Sequence, residues 1–246
     1  MIDILNIMPV WNCPEIVGLG IRCLREQDLE DWHCIIVDDS DPEYGQPMAV
    51  ALLEATHGDK RFTHIVIDRH LPIPRKDDLA VAAMGSKYVA RWDCDNYYPP
   101  SRLRVQREAL EANGDAVCHV PYTRWAQPLV EPNVWQLRDN QHPLRLNCGG
   151  TFFYSRALWH AINGNDTDTH PGEDKHFGHK VELAGGRSIA APSEFAEGFL
   201  GLEWGGNVWQ GRLVEPTFEH TDIDWRSMAP AWVQRWIDNL PSRAVT

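Results

Sequence analysis

An apolar strand runs directly into a pair of carboxylates in Val89-Ala90-Arg91-Trp92-Asp93-Cys94-Asp95-Asn96. Aromatic and proline residues follow at 97–100, so the strand ends at this point. Asp93 and Asp95 therefore leave it together, in a turn that can aim both side chains at one cation. A divalent metal bound in this way keeps coordination positions open, and those suit a diphosphate. An isolated pair of this kind is more often a solvated turn, so the surrounding sequence has to decide between the two interpretations.

The composition bounds the class of protein. With 246 residues, 43% of them hydrophobic and 24% charged, the chain is typical of one large globular domain with a substantial core. No apolar run approaches the roughly 20 residues of a membrane span. The residues from Met1 to Leu5 lack the basic region of a signal peptide, so we expect a first strand in a soluble, cytoplasmic protein.

The net charge and the numbers of cysteines and tryptophans indicate which kinds of ligand the protein can bind. The net charge of −12 argues against a general affinity for nucleic acid, although Arg102, Arg104 and Arg107 could form a local basic strip. Six scattered cysteines without a Cys-x-x-Cys pair predict reduced thiols and argue against a zinc site. Eleven tryptophans favour a carbohydrate ligand weakly, because sugar-binding surfaces also use flat aromatic faces.

The first half of the chain alternates strands with helices. The predicted strands are Ile2–Pro9, Trp32–Val37, Thr63–Ile67, Tyr88–Trp92 and Val117–Tyr122. The predicted helices are Pro14–Gln27, Pro47–Ala55, Lys76–Met84 with Gly85 as its C-cap, and Ser101–Ala112 ended by Asn113-Gly114. Such alternation implies an α/β fold with a mostly parallel, doubly wound sheet and helices on both faces.

The second half is less regular. We predict a hairpin or extended segment over Trp125–Leu137, strands at Gly149–Tyr154 and Ser188–Ala191, helices at Arg156–Ile162 and Glu173–Leu183, a loop or lid from Phe199 to Arg212, and an amphipathic helix over Ala229–Leu240.

Three polar clusters fall where strands of the first half end. They are Pro9–Asn12, Asp38–Asp41 and Asp93–Asp95. Because doubly wound sheets bind ligands at the carboxyl ends of their strands, this coincidence predicts a nucleotide-sized site.

At this point the residues resemble a known family. The pieces that carry the resemblance are Ile4–Asn12, Ile35–Ser40, Ala82–Val89, Asp93-Cys94-Asp95 and, further along, Gly172-Glu173-Asp174 at a helix start. In this order and spacing they are similar to the GT-A glycosyltransferases of family 2, over roughly residues 2 to 185. The resemblance implies the GT-A fold and one catalytic domain over 1–246. Its nucleotide-binding half would span 1–115, its acceptor-binding half 116–215 and a C-terminal extension 216–246.

The resemblance also implies a nucleotide site. Its residues would be Pro9, Val10, Asn12, Asp38, Asp39, Lys76 and Asp93. A carboxylate suits this work because it accepts hydrogen bonds from a base N–H or from ribose hydroxyls. Two positions depart from the family pattern. Ser40 replaces the usual Gly, and Lys76-Asp77 replaces an Arg-Asn pair, so Asp77 and Asp78 could instead be a solvated helix start that favours the dipole.

The metal and the base follow from the same resemblance. Asp95 would bind Mg²⁺ or Mn²⁺, with Asp93 in the metal shell or near the ribose, and His220 as a third ligand in competition with His170, His176 and His179. Asp174 would be the general base, with Glu173 as the substitute, although helix capping alone could explain both acids.

The implied reaction is the transfer of one sugar per encounter from a nucleotide-diphosphate donor, typically UDP-linked, to an acceptor hydroxyl with inversion. Two alternatives stay open. A nucleotidyltransferase usually carries a Gly-rich basic loop where Trp11-Asn12-Cys13-Pro14 stands. A non-catalytic carbohydrate- or partner-binding module would not need both acidic pairs. The acceptor and the donor sugar are not readable from the sequence.

Overall fold

The computed structural model describes residues 2–114, 116–120, 124–126, 133–137, 148–165, 172–204 and 218–240. For 133–137 and 218–220 it describes the backbone. The strands are β1 (Ile2–Val10), β2 (Trp32–Asp38), β3 (Phe62–Val66), β4 (Ser86–Arg91), β5 (Ala116–His119), β6 (Arg124–Ala126), β7 (Asn133–Leu137), β8 (Phe153–Ser155), β9 (Arg187–Ala190), β10 (Gly201–Leu202) and β11 (Phe218–Asp224). The helices are α1 (Val17–Arg25), α2 (Pro42–Thr56), α3 (Ile73–Ala83), α4 (Arg102–Asn113), α5 (Arg156–Ala161), α6 (Glu173–Leu183), α7 (Ser193–Ala196), α8 (Trp225–Met228) and α9 (Ala231–Asp238).

Within these residues the strands form two sheets. The central sheet has seven strands in the order β3-β2-β1-β4-β8-β5-β9. Strand β8 runs antiparallel to both of its neighbours, whereas the other neighbouring pairs are parallel. A second sheet of four strands has the order β10-β6-β7-β11, in which β6 and β7 form the predicted antiparallel pair. The prediction of an α/β fold with a mostly parallel central sheet is confirmed.

Helices cover both faces of the central sheet because side chains alternate along each strand. On β1, Ile4 and Met8 belong to one core cluster, and Leu5 and Ile7 to the other. The first cluster packs under α1, α2, α4 and α9, and the second under α3, α5 and α6. The strands in the middle of the sheet are therefore buried on both sides and read as continuous apolar runs.

Several predicted boundaries are wrong. Helix α2 begins at Pro42 rather than at Pro47, because Pro42 takes the first helical turn, where a missing N–H costs nothing. Helix α3 ends in the extended Met84, so Gly85 is not its C-cap. The predicted strand over Gly149–Tyr154 begins instead with a 3₁₀ turn at Gly149–Thr151.

The parallel register brings the polar clusters to one edge of the sheet. Val10 at the end of β1 pairs with Asp38 at the end of β2, and Ile7 pairs with Arg91 at the end of β4. The loops that follow these three strands therefore open side by side. No helix in the described ranges is both long and apolar enough to cross a membrane.

Helix α1 supports the turn that carries Asp93 and Asp95. The N–H of Gly20 donates to the carbonyl oxygen of Cys94 at 3.0 Å, and the indole N–H of Trp92 donates to the carbonyl of Gly20 at 3.2 Å. A methyl group on Gly20 would lie 2.7 Å from the Cα of Cys94, which real Cβ atoms essentially never do. The turn rests directly on the helix backbone at this point.

We predict that Gly20→Ala lowers the free energy of unfolding by about 1–3 kcal/mol, the usual cost of overpacking a core. The added methyl group can only be accommodated by moving backbone, either that of α1 or that of the Cys94 turn. Urea denaturation measures the change.

Gly45→Ala is the matched control, since Gly45 is also helical and has nothing within 4 Å of an added Cβ. We expect it to be neutral or to stabilise by up to about 1 kcal/mol. Equal losses of unfolding free energy in the two variants would show that the change in stability comes from helix propensity rather than from the contact with the turn.

Candidate active site

The turn after β4 holds Asp93 through a small hydrogen-bond network. Its backbone N–H donates to the hydroxyl oxygen of Tyr98 at 3.1 Å, and its carboxylate accepts from the Asn96 amide at 3.2 Å. The Tyr98 hydroxyl donates in turn to the carbonyl of Gly150 at 3.0 Å. Asp93 and Asp95 are both half-buried. The position of Asp93 thus depends on the segment around Gly150, which lies far away in the sequence.

Two consecutive glycines separate the predicted metal ligand from the predicted base. A Cβ on Gly150 would collide with the carboxylate of Asp93, and a Cβ on Gly149 would collide with the carboxylate of Asp174 and the guanidinium of Arg91. Adjacent Cα atoms are about 3.8 Å apart. Asp93 and Asp174 therefore lie against neighbouring positions of one dipeptide, where any larger residue would displace them.

Glu173 and Asp174 occupy the first turn of α6, as the sequence predicts. Gly172 precedes them with a φ of 116°, a conformation that favours glycine. Asp174 accepts a hydrogen bond from the N–H of Gly149 at 2.8 Å and has 25% of its side chain exposed. The Glu173 side chain is 11% exposed and turns back toward the N–H of Gly172 at 3.1 Å. Asp174 is thus the acid that solvent, or an acceptor molecule, can reach.

Arg91 joins these acids and was not foreseen as a site residue. Its Nη1 lies 3.4 Å from Asp174 and 3.9 Å from Asp77, and its Nη2 lies 3.4 Å from Glu173. Only 6% of the Arg91 side chain is exposed. A signal existed in the sequence, since a charged residue within an apolar strand has to be paired with an opposite charge when the strand is buried.

Burial is the main cause of the pKa shifts of the acids in this cluster, and Arg91 opposes it. Burial raises the pKa of Asp174 to about 6, with Arg91 opposing the shift and Glu173 adding to it. Burial likewise raises the pKa of Asp77 to about 7 and that of Asp93 above its usual range. The surrounding carboxylates raise the pKa of Arg91 against the effect of its burial, so this residue stays charged.

The loops after β1 and β2 are fastened to each other. Asn12, with a φ of 49°, donates its backbone N–H to the Ser40 hydroxyl at 2.9 Å. Its side-chain amide donates to the Asp41 carboxylate at 2.6 Å and accepts from the Asp41 N–H at 2.9 Å. Ser40, which departs from the family pattern, thereby has a structural role that glycine could not supply.

Asp38, Asp39 and Lys76 lie beneath these loops. Burial disfavours the charged form of Asp38, but hydrogen bonds from His64 and Ser40 outweigh it and hold its pKa below the usual range. Asp39 is covered completely and pairs with Lys76, which also donates to the carbonyl of Val10 at 3.1 Å. These pairs fix the shape of the edge from below.

The remaining predicted residues are placed as follows. Pro9 is half-buried and Val10 is buried at the end of β1. Asp77 is buried in the second turn of α3, which corrects the interpretation of 77–78 as a solvated helix start. His220 is a residue of β11, and the structure describes its backbone but not its side chain. His170 and residues 205–212 of the predicted lid lie outside the described residues.

The donor set fits a divalent cation whose other ligands come from elsewhere. No group of three or more His, Cys, Asp or Glu side chains suited to a metal occurs among the described residues. Mg²⁺ is commonly held by one or two carboxylates together with substrate phosphates and water. Asp93 and Asp95 would supply those two carboxylates, and a cation would offset the burial that disfavours the charged form of Asp93.

Comparison with known proteins defines the class first. Two solved structures share the fold. TarS 1–349 from S. aureus, in complex with UDP-GlcNAc, superposes with a TM-score of 0.64 at 14% identity, covering 82% of this chain and 58% of TarS. The mannosyltransferase PcManGT from Pyrobaculum calidifontis, in complex with GDP-Man and Mn²⁺, gives a TM-score of 0.63 at 15% identity, covering 82% and 59%. This chain therefore has the same fold as these two structures.

The family follows from sequence. The sequence model of the family described as glycosyl transferase family 2 matches residues 6–161, which is well over half of the chain. The chain therefore belongs to that family. WcaA of Escherichia coli strain K12, whose name describes a glycosyl transferase of colanic acid biosynthesis, is 28% identical over 98 residues. This match covers 40% of the chain and 34% of WcaA, so the chain spans about a third of that relative. The prediction of a family 2 glycosyltransferase is confirmed.

If the site binds a nucleotide through a divalent cation, as proposed below, we predict that Gly150→Ala weakens this binding by about tenfold or more while the protein stays folded. The added methyl group would occupy the position of the Asp93 carboxylate, which must turn away. Isothermal titration calorimetry measures the affinity. Gly85→Ala is the control, because nothing lies within 4 Å of its added Cβ. Unchanged affinity in Gly150→Ala would mean that the position of Asp93 is not critical for the ligand.

Proposed function

We propose that this protein transfers a sugar from a nucleotide-diphosphate donor to an acceptor hydroxyl group, with inversion at the anomeric carbon. One observation carries the proposal. Asp93 and Asp174 lie against neighbouring glycines at the carboxyl edge of the parallel sheet. The proposed metal ligand and the solvent-accessible, proposed base thus lie close together. A reaction between a diphosphate ester and a hydroxyl group requires such an arrangement.

The nucleotide half of the donor fits the loops after β1 and β2. Pro9, Val10, Asn12, Asp38 and Asp39 form or support their walls. Lys76 acts from beneath by pairing with Asp39 rather than by reaching a phosphate. A UDP-linked donor is proposed from the family resemblance. GDP is the competing donor class, since one structural relative binds UDP-GlcNAc and another binds GDP-Man.

The metal would be held by Asp93 and Asp95, with His220 as a third ligand under the same proposal. When bound, Mn²⁺ or Mg²⁺ would offset the negative charge that develops on the departing diphosphate. Arg91 is turned toward carboxylates and Lys76 toward Asp39, so these two side chains are not placed to offset that charge.

Asp174 is the proposed general base. Its carboxylate accepts the proton of the acceptor hydroxyl while the acceptor oxygen forms a bond to the anomeric carbon. The bond from that carbon to the diphosphate oxygen breaks on the opposite face, and the nucleoside diphosphate leaves with the electron pair. Asp174 is chosen over Glu173 because it is the more exposed of the two, and because the carboxylate of Glu173 faces the start of its own helix.

The first prediction concerns the donor. Because a ligand that binds only the native state raises its melting temperature, we expect one of UDP, GDP, CDP and dTDP to raise Tm with Mn²⁺ present. At roughly 100 times Kd the rise should be about 5–10 °C. Asp95→Asn should remove the manganese-dependent part of the shift. Absence of a shift with all four nucleotides would contradict the proposed function.

The second prediction concerns the base. Asp174→Asn should lower kcat by about 10²–10⁴-fold, the usual contribution of a positioned base, and leave nucleotide binding intact. Wild-type kcat should fall as the pH drops through about 6, since the proton then occupies the carboxylate that has to accept one. Steady-state kinetics between pH 5 and 8 measure both effects.

Glu173→Gln is the matched control for Asp174→Asn, because it removes a neighbouring charge from the same helical turn. We expect a loss of less than about tenfold, with the acidic limb of the pH profile retained. A larger loss in Glu173→Gln than in Asp174→Asn would reverse the assignment of the base. Equal loss of nucleotide binding in both would point to acids that only maintain the fold.

A further inference from the structure

We propose that Arg91 is a positioning residue, which holds the carboxylate of Asp174 in the orientation that transfer requires, and that Asp77 restrains Arg91 from α3. This inference deepens the proposed function and rests on it for the role of Asp174. It goes beyond the expected metal and base residues, because Arg91 and Asp77 would act through Asp174 rather than on the donor or the acceptor.

The strand pattern explains where Arg91 points. Along β4, Tyr88 and Ala90 belong to one core cluster, and Val89 belongs to the other. Alternation therefore directs Arg91 toward the side of Val89. That side is covered by α3 and α6. Arg91 is thus placed between a helix that carries Asp77 and a helix that begins with Glu173 and Asp174.

Asp174 is held at both of its carboxylate oxygens. The guanidinium of Arg91 contacts Oδ1 at 3.4 Å, and the N–H of Gly149 donates to Oδ2 at 2.8 Å. Two contacts at different oxygens fix the plane of a carboxylate, whereas one leaves it free to rotate. Removing Arg91 would leave Asp174 with the single backbone donor and free a side chain that is 25% exposed to turn.

Asp77 supplies the contact that holds Arg91 on the α3 side. Its Oδ2 lies 3.9 Å from the guanidinium and 3.4 Å from the amide of Asn165. Its Oδ1 is buried and has no hydrogen-bond partner within the described ranges. A carboxyl group in such a place is costly unless it acts on a nearby charge. Arg91 is the guanidinium that it faces.

The contacts of Arg91 are long for charge-assisted hydrogen bonds, which are typically about 2.7–2.9 Å. The guanidinium divides its contacts among Asp77, Glu173 and Asp174 at these longer distances. The arrangement places Asp174 without binding it tightly, so its carboxylate stays available to accept a proton.

The kinetic test uses Arg91→Gln and Arg91→Lys in the full chain. Arg91→Gln should lower kcat about 10²-fold, as expected for a misplaced catalytic group, and change the donor KM less than about threefold. Arg91→Lys should recover about tenfold of that loss, because the ammonium keeps the charge. Manganese-dependent nucleotide binding, measured by thermal shift, should persist in both variants.

Arg156→Gln is the structural control. Arg156 is partly buried and donates to the carbonyl oxygens of Met84 and Val81 at 2.7 Å, away from the acids. It should lower Tm without lowering kcat. An unchanged kcat in Arg91→Gln, or a loss of nucleotide binding as large as the loss of kcat, would overturn the proposal.

A second measurement separates this inference from the proposed function. In a double-mutant cycle of Arg91→Gln and Asp174→Asn, followed by urea denaturation, the two losses of stability should be strongly non-additive because the residues share one contact. The cycle does not depend on activity, so it tests the contact between Arg91 and Asp174 even if the protein transfers no sugar. Additive losses would overturn the inference while leaving the proposed function standing.

Discussion

The arrangement of the site depends on the contacts between the buried guanidinium of Arg91 and the carboxylates around it. Three carboxylates from two helices, Asp77, Glu173 and Asp174, approach it within 3.4–3.9 Å. Without that charge, the acids would have to be buried uncompensated, which costs several kcal/mol for each ion. A single residue at the end of β4 thus joins α3 to the start of α6.

The parallel sheet supplies the other constraint. Since β1 pairs in parallel with both β2 and β4, the loops after these strands open at one edge. Asn12 then fastens two of the loops together through Ser40 and Asp41, and α1 supports the turn after β4 through the backbone of Gly20. The edge is held by hydrogen bonds and direct backbone contact, and it is not an assembly of independent loops.

The chemistry of the site depends on carboxylates that are buried close together. The Gly149-Gly150 dipeptide allows Asp174 and Asp93 to approach adjacent backbone positions, and burial there raises the pKa of both acids. Burial penalises the charged form of both acids, which raises the basicity of Asp174 and would be relieved at Asp93 by the proposed cation. The same burial therefore supports both parts of the proposed reaction, namely charge compensation and proton acceptance.

The sequence by itself determined the fold class, the strands of the first half and the family. Periodic apolar runs and the residues that follow them depend on local patterning, which brought out Asp93 and Asp95 as candidates, whereas Glu173 and Asp174 were selected through the family resemblance. Only the tertiary structure decided that Arg91 lies against Asp77 and the two acids of α6, and that Asp39 and Lys76 face each other. These facts rest on contacts between segments tens of residues apart, and the separation in sequence carries no information on which buried charges will meet.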